Sequence, residues 1–426
     1  PGYGFLSEQA AFAQACQDAG LVFVGPSPKT LHLLGDKVEA RRIAEAAGVA
    51  TVPGSPGRVS PEEARRLAPR VGFPLLIKAA AGGGGKGIRL VEREADLEQA
   101  LRTAAAEAQA SFGDDGVYIE RYLDPVRHVE VQVIADSYGN AVHLGERECS
   151  VQRRSQKVVE ESPSPAVDEE LRRRLGEAAV AIARESAYAN AGTVEFLLDR
   201  DGNFYFIEAN ARLQVEHPVT ELVTGLDLVR EQLRVAAGEP LGFSQEDVML
   251  KGWAMECRIT AEDASRGFLP CLGRVEGLTE PAGPGIRVDS ALFRGWEVGP
   301  HYDSLLAKLC AWGETRREAI ARMRRALGEY VIAGVQNTLP FHRQLFEDAD
   351  FLAGRIHTRF LESRSAAAVA PCEDEREALI AAAIVAHERR KQAQGNHAAR
   401  PSNPWKQAGL RSATERVGGR NWRSTF

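Results

Sequence analysis

Thr193-Val-Glu-Phe-Leu-Leu-Asp-Arg-Asp-Gly-Asn-Phe-Tyr-Phe-Ile207, continued by Glu208-Ala-Asn-Ala-Arg-Leu-Gln-Val-Glu216, is where the fold becomes readable. Two apolar, aromatic-rich runs flank Asp201-Gly202, a dipeptide suited to a tight hairpin turn. A two-residue loop there pairs residues whose numbers sum to 403, which sets Glu195 opposite Glu208. Cβ atoms of such a pair lie about 4.5–5.5 Å apart. Two opposed carboxylates repel and weaken an empty hairpin. A shared cation removes the conflict, and hard oxygen donors suit Mg2+ bridging to phosphates. The alternation then continues, with Glu208, Asn210, Arg212, Gln214 and Glu216 interleaved with Ile207, Ala209, Ala211, Leu213 and Val215. Read as extended chain, this segment puts every polar group on one face. A solvated face is the competing reading, although a plain exposed strand favours Thr and Lys.

Upstream, Ala79-Ala-Ala-Gly-Gly-Gly-Gly-Lys-Gly87 lies between the strand-like runs Pro74–Lys78 and Ile88–Val91. Glycines let backbone N–H groups approach a ligand closely, and phosphate is the usual ligand of such loops. Gly82, Gly84 and Gly87 satisfy G-x-G-x-x-G, but a dinucleotide fingerprint needs a helix next, and Ile88–Val91 reads as a strand. A Walker A loop needs Gly at position 80 and Ser or Thr at 87; the chain has Ala80 and Gly87. What remains is a flap between antiparallel strands with Lys78 entering it, or an idle flexible turn.

Further out, helices are expected over Ser7–Ala19, from an Asp36 cap through Ala47, after the capping box Ser60-Pro-Glu-Glu63, over Ala95–Ala110, over Asp168–Ala187 and over Thr315–Ile332. Leu21–Gly25, Val117–Glu120, Val129–Ala135 and Ala141–Glu146 read as strands. The mixture argues an α+β, mixed α/β architecture. Beyond Ser363 the composition shifts to Ala, Arg and Gln, then Pro and Gly, which reads as an edge helix and linker.

The 426 residues suffice for two or three domains, and a net charge of −6 argues against a general nucleic-acid binder. Ala386–Phe426 holds nine Lys/Arg and two Asp/Glu without a recognition motif, which reads as a solvated tail. Six scattered cysteines form no C-x-x-C pair, so a reduced, cytoplasmic setting is expected. No signal peptide is found, and the longest apolar run, Ala378–Ala386, is too short to span a membrane. Gln152-Arg-Arg-Ser-Gln-Lys157 is dense in donors but alone reads as charged surface. His128 and His217 read as packing histidines, and Lys37 opposes a helix dipole, which a nearby anion would explain.

With these residues in hand, the chain resembles the biotin carboxylase family of the ATP-grasp superfamily over almost all of Pro1 to Glu362. The resemblance is carried by Pro1-Gly-Tyr-Gly-Phe-Leu-Ser-Glu8, Gly35-Asp-Lys37, the Lys78 and glycine-loop segment, Arg127-His-Val-Glu130, Gln152–Glu161, Phe206-Ile-Glu-Ala-Asn-Ala-Arg212 and Gln214-Val-Glu-His-Pro218. Trp405-Lys-Gln-Ala-Gly409 is similar to the region after the carboxylase part of acyl-CoA carboxylase α chains.

The resemblance implies an ATP-grasp fold with a mobile glycine-rich lid. The divisions it implies are 1–50 (remnant of an N-terminal α/β subdomain), 51–122 (lid), 123–240 (catalytic core), 241–363 (C-terminal subdomain) and 364–426 (edge helix and linker). It implies that Lys37, Lys78, Gly83, Gly84, Gly85, Glu120, Leu123, His128 and Gln152 hold ATP, and that Glu195, Glu208 and Asn210 bind Mg2+ or Mn2+. Lys157, Arg212, Gln214 and Val215 would surround bicarbonate, Glu216 would be its base, and Arg287 would stabilise the enolate of biotin. The partners implied are a biotinylated carrier domain, a carboxyltransferase and a second copy of the chain, with no nucleic acid and no membrane.

The family's N-terminal α/β segment would precede Pro1, and Ser155 stands where the family commonly has His. No Ala-Met-Lys-Met biotinylation site occurs, so biotin is expected on another domain or chain. Another ATP-grasp carboxylate ligase is the runner-up among enzymes, and outside them the alternative is a truncated chain serving only in assembly.

Overall fold

The computed structural model describes residues 2–80, 88–362, 364, 380–388, 405 and 408. They fall in two units, Pro1–Val369 and Ala370–Phe426; within the second, residues 380–388 are helical. No helix among the described residues is long and apolar enough to cross a membrane.

In the first unit, β1 (Leu75–Ala79), β2 (Ile88–Val91) and β3 (Val117–Arg121) form an antiparallel sheet in the order β2-β1-β3. Helices Pro61–Val71 and Leu97–Phe112 cover it through Ala64, Ala68, Leu97, Leu101 and Ala104. The expected box at Ser60 is present, with Ser60 accepting from the N–H of Glu63 and Glu63 from that of Ser60.

The larger body is an eight-stranded antiparallel sheet. Its strands are β4 (Arg127–Ala135), β5 (Ala141–Arg153), β6 (Gln156–Ser162), β7 (Asn190–Leu198), β8 (Phe204–Asn210), β9 (Trp253–Thr260), Ile286–Ser290 and Leu305–Gly313. Across the sheet the order is Ile286–Ser290, Leu305–Gly313, β9, β6, β5, β4, β7, β8. Side chains alternate between its faces. One face is apolar: Val129, Val131, Val194 and Phe196 pack with Leu171, Leu175 and Ala179 of helix Glu169–Glu185, while Val159, Cys257 and Leu309 pack with Ala319, Met323 and Leu327 of helix Arg316–Glu329. The other face carries the charged residues described below.

The hairpin pairs Glu195 with Glu208 as expected, but by a different route. Its loop spans residues 199–203, wider than two residues, because Asp199 accepts from the N–H groups of Asp201 and Asn203 and from Asn203 Nδ2. Leu198 therefore pairs with Phe204, one step off the expected register, and a bulge between Glu195 and Phe196 restores it.

Three expectations are corrected. Leu21–Gly25 forms no strand; Leu21 and Val22 are exposed, and a lone extended run has no ladder to hold it. The alternation after Glu208 is not a strand throughout. β8 stops at Asn210, and Glu216 sits just before helix His217–Thr224, whose first turn contains Pro218. Gln214 and Glu216 are consequently buried. Finally, the donor-rich run read as charged surface is the turn of a hairpin: β5 extends to Arg153, β6 starts at Gln156, and Arg154 and Ser155 adopt φ of 49° and 63°.

Asp36 caps helix Lys37–Ala46, accepting from the N–H groups of Val38 (2.8 Å) and Glu39 (3.1 Å). Asp36→Ala is expected to cost about 1 kcal/mol of stability in thermal melts, with Asp36→Asn restoring most of it. Equal losses in both variants would assign the effect to charge, since Arg58 lies 3.5 Å from Asp36.

Candidate active site

Across the polar face, Glu208, Glu195, Glu130 and Arg147 stand in register on β8, β7, β4 and β5. The sequence pattern located the first two of this row; the other two follow from strand order, which a hairpin alone does not reveal. Arg147 is fully enclosed, and its donors meet Glu130 (2.6 Å), Gln132 (2.7 Å), Thr220 (3.0 Å), Thr193 (3.1 Å) and Gln214 (2.7 Å).

Lys157, near the start of β6, reaches into the row. Its Nζ donates to Glu130, to Glu195 Oε1 (3.1 Å) and to Glu216 Oε1 (2.6 Å). Burial opposes its charge, but the three carboxylates outweigh burial and hold its pKa well above the usual lysine value. Burial alone would raise Glu195 and Glu216. Lys157 and His128 instead hold Glu195 well below the usual carboxylate range, and Lys157, Arg258 and Arg147 do the same to Glu216. Both carboxyls are therefore ionised at neutral pH.

Gln214 donates to Glu195 (3.0 Å) while its carbonyl is held by Arg147. Asn210 Nδ2 also donates to Glu195 (2.8 Å), and Asn210 Oδ1 accepts from Arg212 (3.2 Å). Glu8 receives the N–H of Ala211 and Nε of Arg212, each at 2.8 Å, and so fixes the guanidinium beside the row. The carbonyl of Val215 accepts from Lys308 (3.0 Å).

On the other flank, His128 Nε2 lies 2.8 Å from Glu195, and Gln152 Nε2 lies 2.8 Å from His128 Nδ1. Burial lowers the pKa of His128, but Glu195 more than offsets this and the net shift is upward. Lys37 lies 3.5 Å from Glu208, an anion of the kind its position at a helix start called for. Lys78 is buried and pairs with Glu120, which Arg41 also engages. Leu123 is half-buried just past β3. Gly83, Gly84 and Gly85 lie outside the described residues.

One arginine expected at the site and one not singled out in the sequence lie on this flank. Arg287 is engaged by Glu221 (2.6 Å) and Asp289 (2.8 and 3.0 Å), and it reaches Val215 only through Asp289 and Lys308. Arg258 is the arginine that touches Glu216, at 2.9 Å, with its Nε on Glu160 at 2.6 Å. The available signal was Glu256-Cys-Arg258 in an otherwise apolar strand, which places two charges on one face.

Glu195, Glu208 and the Asn210 carbonyl are hard oxygen donors on adjacent strands, a set that fits Mg2+ or Mn2+. All groups now against the two carboxylates are cations or donors, namely Lys157, His128, Asn210 and Gln214 at Glu195 and Lys37 at Glu208, as a site built to share positive charge requires. His128, Glu130 and Glu195 also bring donor atoms within 4.8 Å of one another at this place.

Comparison with known proteins agrees with this geometry. Residues 36–244 match the carbamoyl-phosphate synthase L chain ATP-binding domain, residues 256–363 the biotin carboxylase C-terminal domain, and residues 1–31 the biotin carboxylase N-terminal domain. Biotin carboxylase 1 of Bacillus subtilis is 52% identical over 365 residues, covering 85% of this chain and 81% of that protein. A pyruvate carboxylase subunit of Methanothermobacter thermautotrophicus is 48% identical over 363 residues, covering 85% and 74%. The biotin carboxylase domain dimer of Hydrogenobacter thermophilus 2-oxoglutarate carboxylase, solved with MgADP, ADP and bicarbonate, superposes with a TM-score of 0.83 at 48% identity, covering 85% and 80%. Its eight-stranded sheet, its row of carboxylates and these likenesses together establish that the chain belongs to the biotin carboxylase family, ATP-dependent ligases of ATP-grasp fold.

Proposed function

We propose that the chain carboxylates biotin in two steps at the charged face of the large sheet. Bicarbonate oxygen attacks the γ-phosphorus of ATP, the bond to the β-phosphate oxygen breaks, and ADP leaves carboxyphosphate. Glu216 takes the bicarbonate proton, and Lys157, Arg212 and Gln214 hold the anion. Carboxyphosphate then releases CO2 beside biotin, the freed phosphate takes the N1′ proton, and the ureido nitrogen captures CO2. Lys37, Lys78, His128 and the glycine loop are assigned to the nucleotide phosphates, with Glu120 and Leu123 towards the adenine and Gln152 orienting His128. Glu195, Glu208 and Asn210 would hold Mg2+ or Mn2+, which when bound supplies positive charge to the transferring phosphoryl group. Arg287 is assigned to the enolate of biotin, and Arg258, by its contact with Glu216, helps hold that base in place. Residues 51–122 are assigned as the lid that excludes water from a hydrolysable intermediate.

The single observation behind this reading is Lys157 joining Glu130, Glu195 and Glu216, which sets phosphoryl and proton chemistry side by side. Biotin on a separate carrier domain, a carboxyltransferase partner, a homodimer and a cytoplasmic setting complete the proposal. The relatives serve pyruvate and 2-oxoglutarate carboxylases at similar identity, so the acyl-CoA context rests on the tail segment alone. The test is ADP release with Mg2+, with and without bicarbonate and free biotin. Release that needs bicarbonate and rises with biotin is expected; ADP release from folded protein that ignores bicarbonate would overturn it.

A further inference from the structure

Behind Arg258 lies a pair of carboxyls that the mechanism above does not use. Glu160 of β6 and Glu256 of β9 are direct partners across the two strands, and both are 0% exposed. Side chains so paired sit on one face within reach of each other. Arg258 Nε donates to Glu160 Oε1, which leaves Glu160 Oε2 buried with no hydrogen-bond partner. Glu256 receives no cation: its Oε2 is met by Cys310 Sγ at 3.4 Å, and its Oε1 is buried without a partner. The nearest cation on the neighbouring strand, Lys308, is committed to the Val215 carbonyl and to Asp289. Arg258 is divided between Glu160 and Glu216, and Lys308 between Asp289 and the Val215 carbonyl, so Glu256 is enclosed without an ion-paired cation of its own. Two orphaned oxygens on opposed carboxyls are what a single shared proton would satisfy.

We propose that Glu160 and Glu256 hold one proton between them and that this pair positions Arg258 against Glu216. The inference rests on the functional reading of Glu216 and Arg258 but reaches a part of the site that the reading leaves out. Glu256 carries the proton as a neutral acid and donates it to Glu160; Glu160 stays anionic and anchors Arg258. The groups facing the pair are Arg258 on β9, Lys157 on β6, Cys149 on β5, Lys308 and Cys310 on strand Leu305–Gly313, and Glu216 just before helix His217–Thr224. Burial is the largest influence on both carboxyls. It raises Glu256 well above the usual range and, against the pull of Arg258, raises Glu160 to about 7. Macroscopic titrations belong to the pair rather than to either member. As pH falls through about 7, Glu160 gains its own proton and its hold on Arg258 weakens. Arg258 then closes on Glu216 alone and makes that carboxylate a poorer base. An acid limb of the rate profile therefore arises from the pair, while Glu216 itself stays ionised far below it.

The test uses the full chain and two readouts. Infrared spectra at pH 8 should show a carboxylic-acid C=O band that moves in D2O and is lost in Glu256→Gln. This readout needs no activity, so it is independent of whether the assigned reaction is right. In ADP-release profiles, Glu256→Leu removes the hydrogen bond that the neutral acid gives Glu160, makes Glu160 easier to protonate and should move the acid limb up by at least about one pH unit. Glu160→Gln should abolish that limb and raise KM for bicarbonate more than it changes KM for ATP. A wild-type spectrum with no carboxylic-acid band at pH 8 overturns the proposal. So does an acid limb that stays in place in a Glu256→Leu protein of wild-type circular dichroism.

Discussion

Replacing Glu216 by Gln is expected to lower bicarbonate-dependent ADP release by about 10²–10⁴-fold, the usual worth of a positioned base. The side chain is 2% exposed, and its two oxygens are held by Lys157 (2.6 Å) and Arg258 (2.9 Å). Gln keeps the shape and one acceptor but cannot take a proton from bicarbonate. The fold should survive, because Lys157 retains Glu130 and Glu195 and Arg258 retains Glu160. The loss should appear in kcat, with KM for ATP little changed, since the ATP-side residues Lys78 and Glu120 pair with each other and not with Glu216. Acid stability gives a second reading. A carboxyl held below its ordinary value of 4.5 stabilises the fold above that pH, and this contribution is lost as pH falls towards the lowered value. Glu216→Gln should therefore flatten the loss of stability below about pH 4.5. Bicarbonate-dependent turnover within about tenfold of wild type would remove Glu216 from the role of base.

The parts of this site that were legible in the sequence are those whose partners are close in the chain. Glu195 and Glu208 were paired from one turn dipeptide, and the pairing held although the loop was wider, because a bulge made up the difference. Caps at Asp36 and Ser60 were equally local. What stayed hidden needed strand order. Arg147 meets Glu130, Gln132, Thr193, Gln214 and Thr220, partners 15 to 73 residues away, and none of those spacings has a periodic signature. Arg258 was not singled out in the sequence, because Glu256-Cys-Arg258 has no partner close in the chain. Only the order of β6 beside β9 puts Arg258 next to Glu160 and Glu216. The reading of Glu208–Glu216 as one polar face failed for a related reason. Alternation predicts a face only while the chain stays extended, and Pro218 starts a helix that turns Gln214 and Glu216 inward.

Arg147→Met is expected to be the most destabilising single change on the polar face, at about 3–5 kcal/mol, the cost of leaving one partner of a buried ion pair uncompensated. Met fills similar volume and offers no donor, so four acceptors lose their hydrogen bond and Glu130 keeps only Lys157. The consequence for chemistry runs through two routes. Lys157 is drawn towards Glu130, away from Glu216 and Glu195, and Gln214, no longer held at its carbonyl, is free to turn its amide from Glu195. At a temperature where the variant is folded, KM for bicarbonate should therefore rise while KM for ATP changes little. Arg147→Lys separates the two routes. A lysine restores charge to Glu130 but has three donors on one nitrogen, which cannot reproduce a planar fork reaching five partners. It should recover most of the stability and little of the bicarbonate affinity. Urea unfolding followed by circular dichroism measures the first quantity and ADP release against bicarbonate the second. If Arg147→Met unfolds at the wild-type midpoint, the enclosed guanidinium is not what holds this face together; if Arg147→Lys recovers both quantities together, charge alone and not the fork positions Gln214.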